Sequence, residues 1–354
     1  MPSIPEHMRG AILLGPEQIE IRELPVPRPA DGELILQVRA ATTCGTDVKV
    51  FRRGGHPRML EVPTLFGHEM AGTVAALGSG VEKFALGDPL VVANSAPCGD
   101  CDYCRGEREN LCPNLQYLNG AFAEYLRVPA RFVEVSSHRI PAGLDFAKAA
   151  LTEPLACVLH GMDACELSRR AQGSEVVVFG AGPIGLLFTA ALKRGGHRVI
   201  LSDPNAARLE VGMRMGAAST RVIARGGGQA SLIRAATSAG RGADVCIDCT
   251  GQPAVWSDTM EALRPGGLAL LFGGCAPGTR VEMDTHHVHY SEITVKGVYH
   301  HRPETVRRAL AMLSESDFES QHLLSEVRPI EEVEQALRAM MDKTALKVVI
   351  RNAP

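Results

Sequence analysis

Short apolar runs bounded by glycine, proline or a polar turn recur through the second half of the chain. EVVVF (175–179), RVILSD (198–203), ADVCIDCTG (243–251), GLALLFGG (267–274) and ITVKGVYHH (293–301) are β-branched or leucine-rich and have the length of strands. Between them, GPIGLLFTAALKR (182–194) and PAVWSDTMEALRPGG (253–267) read as helices. Strand alternating with helix predicts an α/β fold with a doubly wound parallel sheet. The longest apolar run, EVVVFGAGPIGLLFTAAL, is interrupted by Gly and Pro and is too short to cross a bilayer.

At 354 residues the chain exceeds one typical core, so two domains are expected. Hydrophobic residues at 45% and charged residues at 22% suffice for two cores. A net charge of −3 supplies no electrostatic reason for nucleic acid or an anionic membrane as partner. The opening MPSIPEHMRG has no basic stretch leading into an apolar one, so no secretory signal is expected. That points to the cytoplasm, where the ten cysteines stay reduced and clustered thiols bind metal.

PCGDCDYCRGERENLC (97–112) spaces Cys98, Cys101, Cys104 and Cys112 as C-x2-C-x2-C-x7-C, with Pro97, Gly99, Gly106 and Pro113 to turn the chain. Four thiolates from one loop fill the tetrahedral sphere of zinc and leave no position for substrate. This metal is structural, and the working site must lie elsewhere.

Gly180-x-Gly182-x-x-Gly185 falls between EVVVF and the following helix, the strand–turn–helix context of a dinucleotide site. The first glycine makes the turn, the second admits the pyrophosphate and the third packs helix on sheet. Asp203 ends the second strand 18 residues after Gly185, where an acid receives the ribose hydroxyls; it also suits a helix N-cap. Arg208 argues for a 2′-phosphate, but behind an aspartate NAD is favoured over NADP. Cys246 and Cys249 form a further C-x2-C, but on a strand they point to opposite faces. With Cys157, Cys165 and Cys275 they are expected to be buried small hydrophobes.

Upstream lie ATTCGTDVKVF with Cys44 and PTLFGHEMAGTVAALGSGV with His68 and Glu69; ALTEPLACVLHG carries Glu153. The run Gly67-His68-Glu69-x2-Gly72-x5-Gly78-x2-Val81, the four-cysteine lobe, the glycine fingerprint and Glu153-Pro154 follow this order in the zinc-dependent medium-chain alcohol and polyol dehydrogenases. Over essentially its whole length the chain resembles that family, and within it the sorbitol and threonine dehydrogenase branch.

The resemblance implies a GroES-like, mostly β catalytic domain in residues 1–152 with its zinc lobe at about 95–115, and a Rossmann domain in 153–295. Residues 296–354 would return to complete the catalytic domain, with the active site in the cleft between domains. It implies two zincs per chain, the catalytic one held by Cys44 and His68 with Glu69 and Glu153 in or beside its ligand set, which of the two carboxylates binds being open. Asp47 would orient His68, and Thr46 would take the alcohol's proton. Where some relatives carry a histidine three residues past that hydroxyl, this chain has Lys49, so the proton's exit route is open. Gly297, Val298 and Tyr299 would join Gly180, Gly182, Pro183, Ile184, Gly185, Asp203 and Arg208 in holding the cofactor. His300 and His301 would reach the substrate.

Taken together, these features read as reversible NAD-linked oxidation of a secondary alcohol to a ketone, in a homodimer or homotetramer. Two alternatives stay open: an NADPH-dependent ketone reductase of the same fold, and a zinc-stabilised dinucleotide sensor without turnover. In DTHHVHY (284–290) His287 and His289 would share a face if extended, which could suggest a third metal; a solvated or interfacial loop is the favoured reading.

Overall fold

The computed structural model describes residues 4–167 and 173–352. The chain divides into two compact units. One runs to Ala156 and takes in Arg302–Ser316 and the chain from Leu323 onward; the other comprises Cys157–His301 and Asp317–His322.

The first unit is mostly β. Its larger sheet runs in the order Ser137–Arg139, Pro89–Val92, Glu69–Leu77, Leu34–Thr42, Lys347–Ile350, Leu324–Arg328, with Tyr125–Val128 also paired to Leu34–Thr42. A smaller sheet joins Gln18–Pro25, His7–Gly15 and Thr64–Leu65. Leu36, Phe51, Phe66, Phe122, Phe132 and Val348 lie in the common core. The strand Lys347–Ile350, from the end of the chain, pairs antiparallel with Leu34–Thr42, which pairs on its other side with Glu69–Leu77. Three distant segments thus meet at the end of one strand, and that convergence builds the site.

The second unit holds a six-stranded parallel sheet in the order Ser219–Val222, Arg198–Asp203, Glu175–Phe179, Ala243–Asp248, Leu263–Leu271, Thr294–Gly297. Every residue of Glu175–Phe179 and Ala243–Asp248 is buried, as strands covered on both faces must be, which explains why apolar residues predominate in them while the acids Glu175, Asp244 and Asp248 are held by hydrogen bonds. Strand order reverses between these two, the switch point where open α/β sheets bind ligands at their carboxyl ends.

Three expectations are corrected. The helix from Pro253 ends at Glu261 and LRPGG already belongs to the next strand, Leu263–Leu271, whose register shift against Ala243–Asp248 absorbs the Pro-Gly-Gly. Residues 284–290 are neither extended nor loop: Thr285–Tyr290 is a short helix, nucleated by Asp284, whose side chain accepts from the His287 amide at 3.0 Å. His287 and His289 therefore do not share a strand face, and they form no metal-ligand group among the described residues. Of the cysteines expected in the core, Cys165 and Cys246 are buried, whereas Cys157, Cys249 and Cys275 are only half-buried. No helix among the described residues is long and apolar enough to cross a membrane.

Candidate metal centre and dinucleotide site

The metal centre grows from a helix start. Cys44 is the N-cap of Gly45–Arg53, its Sγ accepting from the Thr46 amide at 3.4 Å. Asp47 returns the bond, its Oδ2 accepting from the Cys44 amide at 2.9 Å. Its other oxygen, Oδ1, lies 2.8 Å from His68 Nδ1. One buried carboxylate thus fixes the backbone of Cys44 and the ring of His68, and leaves Nε2 on the side of the ring turned toward Cys44. Gly67, immediately before, has φ +86°, and a Cβ there would stand 2.7 Å from the Phe122 ring, so only glycine turns the chain here.

Glu69 opens its strand opposite Thr42 and is fully buried. Its Oε2 accepts from the Thr42 hydroxyl and from Lys347 Nζ, the latter at 2.5 Å. Lys347 also donates to the Thr43 carbonyl at 2.8 Å. Oε1 of Glu69 is buried with no hydrogen-bond partner. Such an oxygen costs free energy unless something else binds it. Ligand atoms of Cys44, His68 and Glu69 all lie within 4.8 Å of one another. A cysteine sulfur, an imidazole nitrogen and a carboxylate converging at buried and half-buried positions, with one carboxylate oxygen left without a partner, suit zinc.

Glu153, in the helix Thr152–Ala164, is buried near the same charges. Burial pushes its carboxyl up to about 7, with the Glu69 charge adding and His68 opposing. Burial alone would lower the His68 pKa, but the Asp47 carboxylate more than reverses this and holds it well above the usual value. Lys347, likewise opposed by burial, is kept charged by Glu69. Lys49 is exposed on the helix that carries Thr46.

In the lobe, Sγ–Sγ distances are 3.4 Å for Cys101–Cys104, 3.5 Å for Cys98–Cys112 and 3.9 Å for Cys98–Cys104. Tetrahedral thiolates at about 2.3 Å from zinc stand about 3.8 Å apart, so the four sulfurs suit that ion. The Cys104 amide draws the Cys101 thiol down to about 7, and burial pushes Cys104 up to about 12.

In the second unit the turn after Glu175–Phe179 passes through Gly180 into the helix Pro183–Arg194, with Gly182 as N-cap and Pro183 in the first turn. A Cβ on Gly185 would stand 1.8 Å from the Gly180 carbonyl, whereas one on Gly182 would meet no protein atom within 4 Å. The helix start is therefore open in front of Gly182 and tight behind Gly185, as a pyrophosphate cradle requires. Ile184 lies in the same first turn. Asp203 Oδ2 accepts from the Ala181 amide at 2.8 Å and Oδ1 from the Asn205 amide at 2.7 Å. Asn205, not Asp203, caps the next helix, accepting from the Arg208 amide at 3.2 Å. Burial lowers the Arg208 pKa and Asp203 opposes the shift.

The last strand ends at Gly297. Val298 and Tyr299 follow, and His300 adopts φ +61° with its carbonyl accepting from His160 Nδ1 at 2.8 Å. The His300 and His301 ring centroids lie 4.0 Å apart with the planes tilted by 35°, and His301 is buried. Lys347 and Thr42 escaped the sequence reading. The one signal was a lysine opening the otherwise apolar KVVI.

The family model described as "Alcohol dehydrogenase GroES-like domain" matches residues 30–137, and "Zinc-binding dehydrogenase" matches 183–315. The chain is 31% identical to sorbitol dehydrogenase of Bacillus subtilis (strain 168) over 98% of both chains. It is 29% identical to L-threonine 3-dehydrogenase of Idiomarina loihiensis, over 92% of this chain and 94% of the relative. A structure named as a zinc-binding dehydrogenase from Sinorhizobium meliloti 1021, bound to NADP, superposes with a TM-score of 0.89 at 29% identity, covering 98% of this chain and all of that one.

Proposed function

The chain belongs to the zinc-dependent medium-chain alcohol and polyol dehydrogenases, and on that premise we propose that it oxidises a secondary alcohol bearing further polar groups (a sugar alcohol, cyclitol or amino-alcohol) to the ketone with NAD. It is an oxidoreductase of CH–OH donors that uses zinc and a nicotinamide dinucleotide. The observation that carries the reading is the convergence of the Glu69 carboxylate, one oxygen of which is buried without a hydrogen-bond partner, on Cys44 and His68 within 4.8 Å.

Cys44, His68 and a carboxylate of Glu69 or Glu153 would hold the catalytic zinc; Cys98, Cys101, Cys104 and Cys112 would hold the structural one. Zinc supplies a Lewis acid that eases loss of the alcohol's proton, and the dinucleotide supplies the hydride acceptor. Asp47 keeps His68 in the tautomer with the proton on Nδ1 and Nε2 turned toward Cys44, and holds the Cys44 backbone. Thr46, two residues past Cys44, receives the substrate's hydroxyl proton and passes it outward. Lys347 pairs with Glu69 and so offsets one carboxylate charge where Asp47 and Glu153 also lie close.

Gly180, Gly182, Pro183, Ile184 and Gly185 would receive the pyrophosphate and Asp203 the adenosine ribose, while Gly297, Val298 and Tyr299 pass the nicotinamide. Asp203 supports NAD; Arg208 and the NADP-bound relative support the phosphorylated cofactor as the second reading. His300 and His301 would meet the substrate's distal hydroxyls, and aromatic residues at 5% argue against a greasy long-chain pocket. A cytoplasmic homodimer or homotetramer completes the proposal.

The test is a panel of polyols, amino-alcohols and simple secondary alcohols, with reduced dinucleotide followed optically for NAD and NADP. Higher kcat/KM for a polyol than for 2-butanol, lost when the distal hydroxyl is removed, is expected. A better simple alcohol would overturn the polar-substrate assignment.

A further inference from the structure

Asp248 ends the strand Ala243–Asp248, which lies between Glu175–Phe179 and Leu263–Leu271 in the parallel sheet, and it is fully buried. Its carboxylate is saturated with donors. Oδ1 accepts from the Thr250 amide at 3.0 Å and its hydroxyl at 2.6 Å; Oδ2 accepts from the Gly251 amide at 3.0 Å and the Trp256 indole at 3.1 Å. The same indole N–H is shared with the Gly273 carbonyl at 3.2 Å, in the loop after the neighbouring strand. Gly273 in turn donates its amide to the Asp248 carbonyl at 2.9 Å.

These loops touch with no room to spare. A Cβ on Gly273 would stand 2.2 Å from the Gly251 nitrogen and 2.6 Å from Asp248 Oδ2; one on Gly251 would stand 2.5 Å from the Gly274 carbonyl. The turn also abuts the glycine fingerprint, since Thr250 Cγ2 lies 3.0 Å from where a Cβ of Gly180 would be. Three loops at the carboxyl edge of the sheet (180–182, 249–252 and 272–274) are therefore braced around one carboxylate and the chain's single tryptophan.

We propose that Asp248 and Trp256 form a latch that holds the loops after their two strands at a fixed height against the glycine-rich turn, so that the dinucleotide site is formed before the dinucleotide arrives. Both are positioning residues for cofactor binding; neither touches the reacting atoms. The inference rests on the dinucleotide reading of the Gly180–Gly185 turn. Physically, the turn after the strand presents two amides and a hydroxyl, and the following helix an indole, to one buried point, and only an anion with two oxygens satisfies all four. Without it the loops must be ordered by the ligand, and that ordering is subtracted from affinity.

The experiment compares wild-type zinc-loaded enzyme with Asp248→Asn and Trp256→Phe, titrating NADH and NADPH calorimetrically while recording melting temperature, zinc content and steady-state kinetics. Asp248→Asn is expected to weaken the preferred dinucleotide roughly tenfold or more, and Trp256→Phe by a factor of about three to ten. At saturating dinucleotide kcat should stay within about twofold and the alcohol KM should not move, because the groups acting on the alcohol are untouched. In Asp248→Asn the tryptophan emission should shift to the red and return toward the wild-type maximum when dinucleotide binds, which a purely structural role would not produce. If Asp248→Asn does not fold, Trp256→Phe decides alone. Wild-type binding with unchanged affinity in the folded variants would overturn the latch and leave the cofactor reading standing. Wild-type enzyme that binds neither dinucleotide would overturn both.

Discussion

The ammonium of Lys347 and the carboxylate of Glu69, 278 residues apart in sequence, meet at 2.5 Å with 1% and 0% of their side chains exposed. The pair occupies one oxygen of Glu69 and leaves the other without a hydrogen-bond partner, in a carboxylate that lies within 4.8 Å of the ligand atoms of Cys44 and His68. It also delivers a positive charge from the end of the chain to a centre built by residues 42–69.

Because each partner is desolvated, removing one strands the other. Lys347→Met should cost about 3–5 kcal/mol in urea unfolding. Adding Glu69→Gln to that variant should recover a large part of the loss, since the stranded charge is then gone. A single variant within about 1 kcal/mol of wild type would show the pair to be dispensable.

Gly182 and Gly185 separate ligand space from packing space. Gly185→Ala forces a Cβ to 1.8 Å from the Gly180 carbonyl and should lower the melting temperature markedly, by several degrees. Gly182→Ala meets nothing within 4 Å, so stability should hold while the dinucleotide KM rises roughly tenfold or more. Equal melting and kinetic effects in the two variants would contradict a phosphate in front of Gly182.

Asp203 faces the same turn through the Ala181 amide. A 2′-phosphate there would meet a carboxylate in a partly desolvated site. Asp203→Ser should narrow the ratio of kcat/KM for NAD over NADP. A wild-type ratio favouring NADP would put Arg208 in command of cofactor choice.

Much of this was legible beforehand because it obeys local rules. The glycine spacing, the buried strand Glu175–Phe179 and the acid ending Arg198–Asp203 are each set by neighbours within thirty residues. Lys347 was not legible, because its partner comes from the other end of the chain and the signal is one charge in KVVI. The helix Thr285–Tyr290 is not legible because three histidines in seven residues read as a polar loop, while Asp284 supplies the cap that turns the segment helical. The strand from Leu263 was missed because the Pro-Gly-Gly in it reads as a turn and is accommodated as a register shift.

His138, on an edge strand of the first unit, is pushed down to about 4 by burial, with Lys83 and Arg307 adding, and its Nε2 has no partner. Its folded pKa lies below the 6.5 of an unperturbed histidine, so the unfolded chain binds the extra proton first. The contribution is fully present above pH 6.5 and is lost as pH falls toward about 4. Urea midpoints should decline across that window, and His138→Leu should flatten the decline. An unchanged slope would show that His138 does not govern it.

The measurement that bears most directly on the central claim is zinc per chain set beside turnover in Cys44→Ser and Cys101→Ser. Wild type should hold two zincs. Cys44→Ser should keep its fold and the lobe zinc, retain about one zinc per chain and lose turnover, because the open centre has lost its thiolate. Cys101→Ser should lose the lobe zinc and with it solubility or assembly. Fully active wild-type protein with one zinc or none, or undiminished turnover in Cys44→Ser, would contradict the account.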